Sequence, residues 1–142
     1  EDWAKNISAV LKRDYADAPV KVHWVNIGPT KSWGRPKKRG VLWKNFSKYP
    51  LSVWDEDWFR HPDLVLIDGR FRVGCFLATM MRITRPVTVL FDDYVGRNAY
   101  HWIEGYAERV DSTGRMVQFK LVPGEFPRED FTKIVEAFWD PE

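Results

Sequence analysis

The sequence predicts an α/β fold, specifically a three-layer sandwich around a mainly parallel sheet of about four strands. Short apolar runs alternate along the chain with segments of helical periodicity, which is the pattern of βαβ units. Two of these runs are almost continuously apolar, as expected of parallel strands covered on both faces. With 142 residues, 44% of them hydrophobic, the chain can form a single domain over residues 1–142 with its own core.

The first 60 residues predict one helix and one strand. Apolar side chains recur at helical spacing over residues 2–14, which predicts an amphipathic helix. Residues 20–26 are rich in β-forming side chains and are followed by a Gly-Pro turn, which predicts a strand. Residues 29–60 mix proline, glycine, lysine and tryptophan, and they indicate only a single helical turn near residues 54–59.

The pattern is clearer in the second half of the chain. Apolar runs predict three strands, at residues 63–68, 87–91 and 116–122. Apolar periodicity predicts three helices, at residues 71–83, 97–110 and 131–138. A turn is expected at residues 111–114. The strand and helix segments alternate, so the sheet is expected to be mainly parallel.

Composition excludes several classes of protein. Cys75 is the only cysteine, which rules out an intramolecular disulfide and a cysteine-rich metal site. A single thiol is typical of a reducing compartment, and we expect a cytoplasmic protein. The apolar run at residues 73–81 is too short to span a bilayer, and no signal segment stands at the start. Because the chain begins at Glu1 rather than methionine, we expect further residues upstream.

Acidic residues follow two of the predicted strands. Asp68 ends the first, and Asp92 and Asp93 end the next. Ligands bind at the carboxyl ends of strands in an open parallel sheet, and neighbouring strands lie about 4.8 Å apart. The three carboxylates can therefore meet in one small volume, where they would hold a divalent cation or supply a general base.

A structural role for these acids is the alternative. An aspartate at a strand end often caps the next helix or pairs with an arginine, and Arg70, Arg72 and Arg97 are close in sequence. The sequence is compatible with both the ligand-binding role and the structural role. The predicted ligand site has six members at the strand ends: Asp68, Arg70, Asp92, Asp93, Tyr94 and Arg97.

Two segments resemble a known family. HPDLVLIDGRFRVGCFLATMM (61–81) and PVTVLFDDYVGRNAYHWIEGY (86–106) resemble the fourth and fifth strands, with their helices, of class I S-adenosylmethionine-dependent methyltransferases. In the catechol-type branch the matching acids, here Asp68 and Asp92, hold a divalent ion, and Asp93 replaces the usual asparagine. The aromatic and basic surroundings, Tyr94 and Arg97 among them, do not follow that branch, so no metal is predicted.

The family's cofactor-binding half has no counterpart in the sequence. No G-x-G occurs among the nine glycines, whereas the family grips its cofactor with a glycine-rich turn after its first strand. The resemblance therefore implies a truncated or degenerate domain, in which the cofactor is unknown and S-adenosylmethionine binding by this chain alone is not expected. The family's strand order, 3-2-1-4-5, leaves an apolar edge open at residues 63–68. We expect either a rearranged sheet, in which residues 20–26 pair with 63–68, or a homodimer.

A basic, aromatic loop is a second candidate site. Residues 31–44 contain six lysines and arginines, two tryptophans and no acid. Cations bind phosphates and flat rings stack on planar ligands, which indicates anion or nucleotide binding, whereas nucleic-acid polymers are not expected. A solvated loop with its tryptophans packed inward is the alternative. The predicted anion-binding residues are Trp33, Arg35, Lys37, Lys38 and Arg39.

These observations predict a methyltransferase-like domain of unknown specific function that binds a small ligand at the strand ends. Two alternatives remain. The first is an active methyltransferase whose cofactor-binding half comes from upstream sequence or from a partner chain. The second is an anion-binding, nucleotide-binding or oligomeric module that uses the basic loop at residues 31–44.

Overall fold

The structure, a computed structural model, describes residues 2–37 and 41–142. Its α-helices are α1 (Asp2–Asp14), α2 (Lys48–Leu51), α3 (Arg72–Arg82) and α4 (Phe131–Ala137). Its strands are β1 (Leu64–Ile67), β2 (Val87–Phe91), β3 (Glu108–Thr113) and β4 (Met116–Leu121). The 3₁₀ turns are Ser32–Gly34, Val41–Asn45, Ser52–Asp55, Asn98–Gly105 and Arg128–Asp130.

The four strands form one mixed sheet in the order β1-β2-β4-β3. β1 and β2 are parallel, with Val65 opposite Val89. β4 is antiparallel to both of its neighbours, β2 and β3. The predicted number of strands is confirmed, but a mainly parallel sheet is wrong. The tight turn at Gly114 sends β4 straight back along β3, whereas a parallel strand would need a crossover connection.

Two predicted elements are wrong, and for the same reason. Residues 20–26 form no strand, because no strand lies beside them to supply hydrogen bonds. β3 takes residues predicted as the end of a helix and a turn, and every one of its six residues is exposed. An exposed strand lacks the apolar alternation by which a strand is recognised. Whether each of these segments forms a strand depends on pairing with a neighbouring strand, and the local sequence does not encode that pairing.

The core lies on one face of the sheet. Val89 and Phe91 of β2 face the same side as Phe119 of β4, and Phe76 of α3 packs on them with ring centroids 6.3 Å from Phe91 and 5.3 Å from Phe119. On the opposite face Leu66 is exposed. α3 and α4 contribute to the core on the covered face, and the third layer of the predicted sandwich stays a prediction.

The edge of β1 is open. Leu64 and Leu66 are 56% and 59% exposed, and among the described residues β1 pairs only with β2. The rearrangement in which residues 20–26 move across to this edge is therefore wrong, while the homodimer stays a prediction. No helix in the described ranges has both the length and the apolar character that a bilayer crossing requires.

Candidate functional site

The carboxyl ends of β1 and β2 bring three acids together. The amide of Asp92 donates to the carbonyl of Ile67 at 3.0 Å, which places the first residue after β2 beside the last residue of β1. Asp68 is 56% exposed at its side chain, Asp93 is 26% exposed, and Asp92 is nine-tenths buried. The three acids thus lie around one point on the surface, and their side chains range from exposed to nearly buried.

Arg72 links two of these acids from the first turn of α3. Its Nη2 lies 3.1 Å from Asp93 Oδ2 and 3.6 Å from Asp68 Oδ1. Phe71, which precedes the helix, has a left-handed backbone with φ of 54°. Asp93 has φ of 56°. Left-handed non-glycine residues are uncommon and occur at functional sites more often than elsewhere, and here they follow both strand ends.

Arg115, in the turn just before β4, contacts the same acids and was not predicted. It contacts Asp92 twice, through Nη2 to Oδ2 at 3.1 Å and Nε to Oδ1 at 3.3 Å, and its Nε is also 3.1 Å from Asp93 Oδ1. The antiparallel register that pairs Phe91 with Val117 brings Arg115 opposite Asp93. This contact cannot be predicted without the sheet topology, because Arg115 and Asp93 lie 22 positions apart in sequence.

Arg115 helps to keep Asp92 ionised. Burial by itself would raise the pKa of the Asp92 carboxyl, since a charged group loses hydration. Hydrogen bonds from Arg115 and from the backbone of Asp93, with the charge of Arg115, outweigh burial, so the pKa lies below its ordinary value. Asp92 is therefore ionised at neutral pH and serves as an ion-pair partner rather than as a proton donor.

Arg97 completes a balanced set of charges. Its Nη2 lies 3.4 Å from Asp93 Oδ2. Three carboxylates therefore face three guanidiniums: Asp68, Asp92 and Asp93 against Arg72, Arg97 and Arg115. In the described part of the chain, no group of three histidine, cysteine or acidic side chains is arranged to hold a metal ion. We refer to the six residues as the strand-end cluster.

Arg72 is the least satisfied member of the strand-end cluster. It is only 3% exposed, yet its Nε and Nη1 are buried without a hydrogen-bond partner. Each buried donor left unpaired costs about 1–3 kcal/mol. Native structures seldom contain such groups, and when they do, a bound water, ion or ligand commonly supplies the missing acceptor.

Two predicted members of the ligand site have partners other than the acids. The Nε of Arg70 donates to the carbonyl of Trp33 at 3.0 Å, and Arg70 lines the same groove as Asp68. Tyr94 is fully buried in the core, with its ring centroid 5.0 Å from Phe91 and 5.1 Å from Phe119. The prediction that the Tyr94 side chain belongs to the ligand site at the strand ends is wrong, because packing against these rings holds it in the core.

The basic loop lies beside the end of β1. The bond between Arg70 and Trp33 joins the loop to the strand end, and Trp33 is 89% exposed. Arg35 forms an ion pair with Glu142, so part of the loop's charge is neutralised within the chain. Lys37 is exposed. Lys38 and Arg39, the other predicted anion-binding residues, lie outside the described residues.

The family of this chain is identified by its similarity to a solved structure. A scan against protein-family models finds no match, and a search of curated proteins finds none either. The crystal structure of a methyltransferase-like protein from Silicibacter pomeroyi matches 99% of this chain and 73% of its own, with 40% sequence identity and a TM-score of 0.88. This agreement in sequence and structure confirms the methyltransferase-like fold that the residues at 61–106 indicated. The chain belongs to the family of methyltransferase-like proteins.

Proposed function

We propose that this methyltransferase-like domain binds a small ligand bearing a carboxylate or phosphate group, and that the ligand lies at the strand-end cluster. The observation that carries the proposal is Arg72, a buried guanidinium with two unpartnered donors at the carboxyl ends of two parallel strands. An anionic oxygen is the acceptor that a guanidinium binds most strongly.

The residues of the cluster divide into two roles. Arg115 is 71% exposed at its side chain and Arg97 38%, so both can meet an incoming anion without a large rearrangement. Asp93 holds Arg72 in place, and Asp92 holds Arg115. The acids thus position the cations, and the cations bind the ligand. Because the acids already face guanidiniums, a metal ion has no part in this proposal.

S-adenosylmethionine is one member of the proposed ligand class, since it carries an amino-acid carboxylate. The strand-end cluster offers guanidiniums to this carboxylate, but the described residues lack the glycine-rich turn with which the family holds the rest of the cofactor. Their glycines are scattered singly, and the one that follows β1, Gly69, has the hydroxyl of Tyr49 3.1 Å from where a Cβ would stand. The Tyr49 hydroxyl therefore lies against the backbone of Gly69 at this strand end. Ligand binding, and not methyl transfer, is the function that these residues support.

Calorimetry with two related ligands tests the proposal. S-adenosylhomocysteine carries the carboxylate, and adenosine lacks it. We expect S-adenosylhomocysteine to bind the chain at least tenfold more tightly than adenosine, and Arg115→Gln to remove that preference. Arg85→Gln is the matched control, because Arg85 pairs with the exposed Asp63 near the start of β1. Equal binding of the two ligands, or no heat from either at millimolar concentration, would refute the proposal.

Anion binding at the basic loop is a second candidate, favoured by the exposure of Trp33 beside Arg70. A planar phosphate-bearing ligand would stack on the indole and contact the neighbouring cations. Quenching of tryptophan fluorescence by adenosine monophosphate tests this candidate. Quenching that Trp33→Ala abolishes would support it, whereas quenching that survives in this variant would reject the loop as the site.

A further inference from the structure

A serine, a histidine and a glutamate lie next to one another at the 3₁₀ turn Ser52–Asp55. The hydroxyl of Ser52 is 2.8 Å from His23 Nε2, and Nδ1 of the same imidazole is 3.6 Å from Glu56 Oε1. The two ring nitrogens therefore face different partners, a hydroxyl on one side and a carboxylate on the other. In this order of contacts a histidine can act as a general base toward a serine while an acid orients its ring.

The carboxylate of Glu56 is itself held in place. Trp58 Nε1 donates to Glu56 Oε2 at 3.0 Å, which leaves Oε1 for the imidazole of His23. The ring centroid of Trp58 is 6.2 Å from that of His23, so the indole also flanks the imidazole. A carboxylate beside Nδ1 favours the tautomer that carries its proton there, and in that tautomer Nε2 accepts from the hydroxyl of Ser52. The contacts thus direct the lone pair of Nε2 toward the hydroxyl proton.

These side chains can be reached by a small molecule. Ser52 is half-buried, and the side chains of His23 and Glu56 are 21% and 39% exposed. The two residues that follow Ser52, Val53 and Trp54, line an apolar groove of about 330 Å³ beside β1. Small-molecule sites are commonly grooves of this size with mainly apolar walls. An acyl chain in the groove would bring its carbonyl carbon toward Ser52 at the rim.

We propose that these residues hydrolyse a small ester of a carboxylic acid, with Ser52 as the nucleophile and His23 as the general base. Ser52 Oγ forms a bond to the acyl carbon while its proton passes to His23 Nε2. The bond between the acyl carbon and the alcohol oxygen breaks, and His23 gives the proton to that oxygen. Water, the second reactant, then attacks the acyl carbon, which releases the carboxylic acid and restores the hydroxyl of Ser52.

Two further side chains support the reaction. Glu56 is a positioning residue, because it orients the imidazole and stabilises the imidazolium that forms when His23 holds the proton. Lys48 lies one helical turn before Ser52, at a spacing that puts the two side chains on one face. Its ammonium can therefore stabilise the negative charge that develops on the acyl oxygen. The proposal uses none of the residues of the strand-end cluster and does not depend on the ligand proposed there.

Labelling of the unaltered chain with an alkyl fluorophosphonate tests the proposal. This electrophile bonds to the oxygen of an activated serine and releases fluoride, and peptide mass spectrometry locates the adduct. We expect Ser52 to be labelled at least about tenfold faster than Ser112, although Ser112 is exposed on β3 at the opposite edge of the sheet. The preference should vanish in urea. Absence of a Ser52 adduct in the folded chain at millimolar probe, or an equal rate in urea, would overturn the proposal and leave His23 as a structural tether.

Hydrolysis of p-nitrophenyl butyrate by variants separates catalysis from tethering. Ser52→Ala and His23→Gln should each lower the rate by about 100-fold or more. Glu56→Gln should lower kcat by at least about tenfold and leave KM unchanged, because Glu56 acts through His23. Asp57→Asn is the matched control, since Asp57 is the exposed acid next in sequence, and it should change neither constant. An unchanged rate in Ser52→Ala, or equal effects of Glu56→Gln and Asp57→Asn, would contradict the assigned roles. If His23→Gln fails to fold, the labelling of the unaltered chain still decides.

Discussion

Arg72 Nη2 lies 3.1 Å from Asp93 Oδ2, and this ion pair joins the first turn of α3 to the end of β2. The two partners are not equivalent. Arg72 is 4% exposed at its side chain, whereas Asp93 is 26% exposed and also faces Arg97 and Arg115. Loss of the acid would leave a buried charge with a weaker partner. Loss of Arg72 would leave Asp93 with two guanidinium partners, Arg97 and Arg115.

This asymmetry predicts different effects of two substitutions on the free energy of unfolding. Asp93→Asn keeps a residue that tolerates the left-handed backbone, and should lower the free energy of unfolding by about 1–3 kcal/mol. Arg72→Met replaces a buried guanidinium by an apolar chain of similar length and removes two unpartnered donors. It should change stability by less than about 1 kcal/mol. Urea unfolding of both variants measures the difference, and equal losses would contradict the assigned roles.

The ion pair of Arg115 with Asp92 predicts a dependence on pH. The pKa of Asp92 is lower in the folded chain than its ordinary value of 3.8, so its stabilising effect is present above that value and is lost as the pH falls through the folded pKa. Arg115→Gln should therefore destabilise the chain at neutral pH, and the difference from the unaltered chain should shrink below about pH 4. Urea unfolding across this range measures it. A difference that stays constant with pH would argue against the pair.

Close packing of α3 on α4 predicts an effect at Gly74. A Cβ at this position would lie 2.9 Å from the carbonyl oxygen of Ala137 and 3.4 Å from Pro50 Cγ. Gly74→Ala should therefore lower the free energy of unfolding by about 1–3 kcal/mol, although alanine favours helices. Gly96→Ala is the control, because nothing lies within 4 Å of its added Cβ. Thermal unfolding compares the two, and a stable Gly74→Ala variant would show that the helices can separate at little cost.

Cys75 is predicted to be an unreactive thiol. Burial raises its pKa from 9.0 to about 12, so very little thiolate exists near neutral pH. Alkylation by iodoacetamide should be on the order of 100-fold slower in the folded chain than in urea, because the thiolate is the reacting form. Mass spectrometry over time gives both rates. Similar rates in the two conditions would indicate that the thiol is not held in the described environment.

Segments with strong local signals were predicted from sequence to within about two residues. The apolar runs and periodicity give β1, α3, β2, β4 and α4, and the pairing of β1 with β2 is confirmed as parallel. Residues 20–26 carry an equally good strand signal and form no strand. β-strand propensity expresses fit to a half-buried surface with neighbours on either side, and this segment has no such neighbour.

The strand-end cluster was predicted in part. Asp68, Asp92 and Asp93 follow strands whose parallel pairing could be anticipated, and the structure brings them together. Arg115 could not be found, because its position depends on an antiparallel return from β3, a strand with no apolar alternation. Tyr94 was misplaced because one residue decides whether a side chain after a strand faces the core or the solvent.

The most direct test of the strand-end cluster is the side-chain Nε–Hε resonance of Arg72 in a ¹⁵N-labelled chain. If an anionic group supplies the acceptor that Arg72 lacks, S-adenosylhomocysteine should shift this resonance and slow its exchange with water, and adenosine should do neither. If the resonance is unchanged by S-adenosylhomocysteine at millimolar concentration, or responds equally to adenosine, Arg72 does not bind the ligand and the proposed function is wrong.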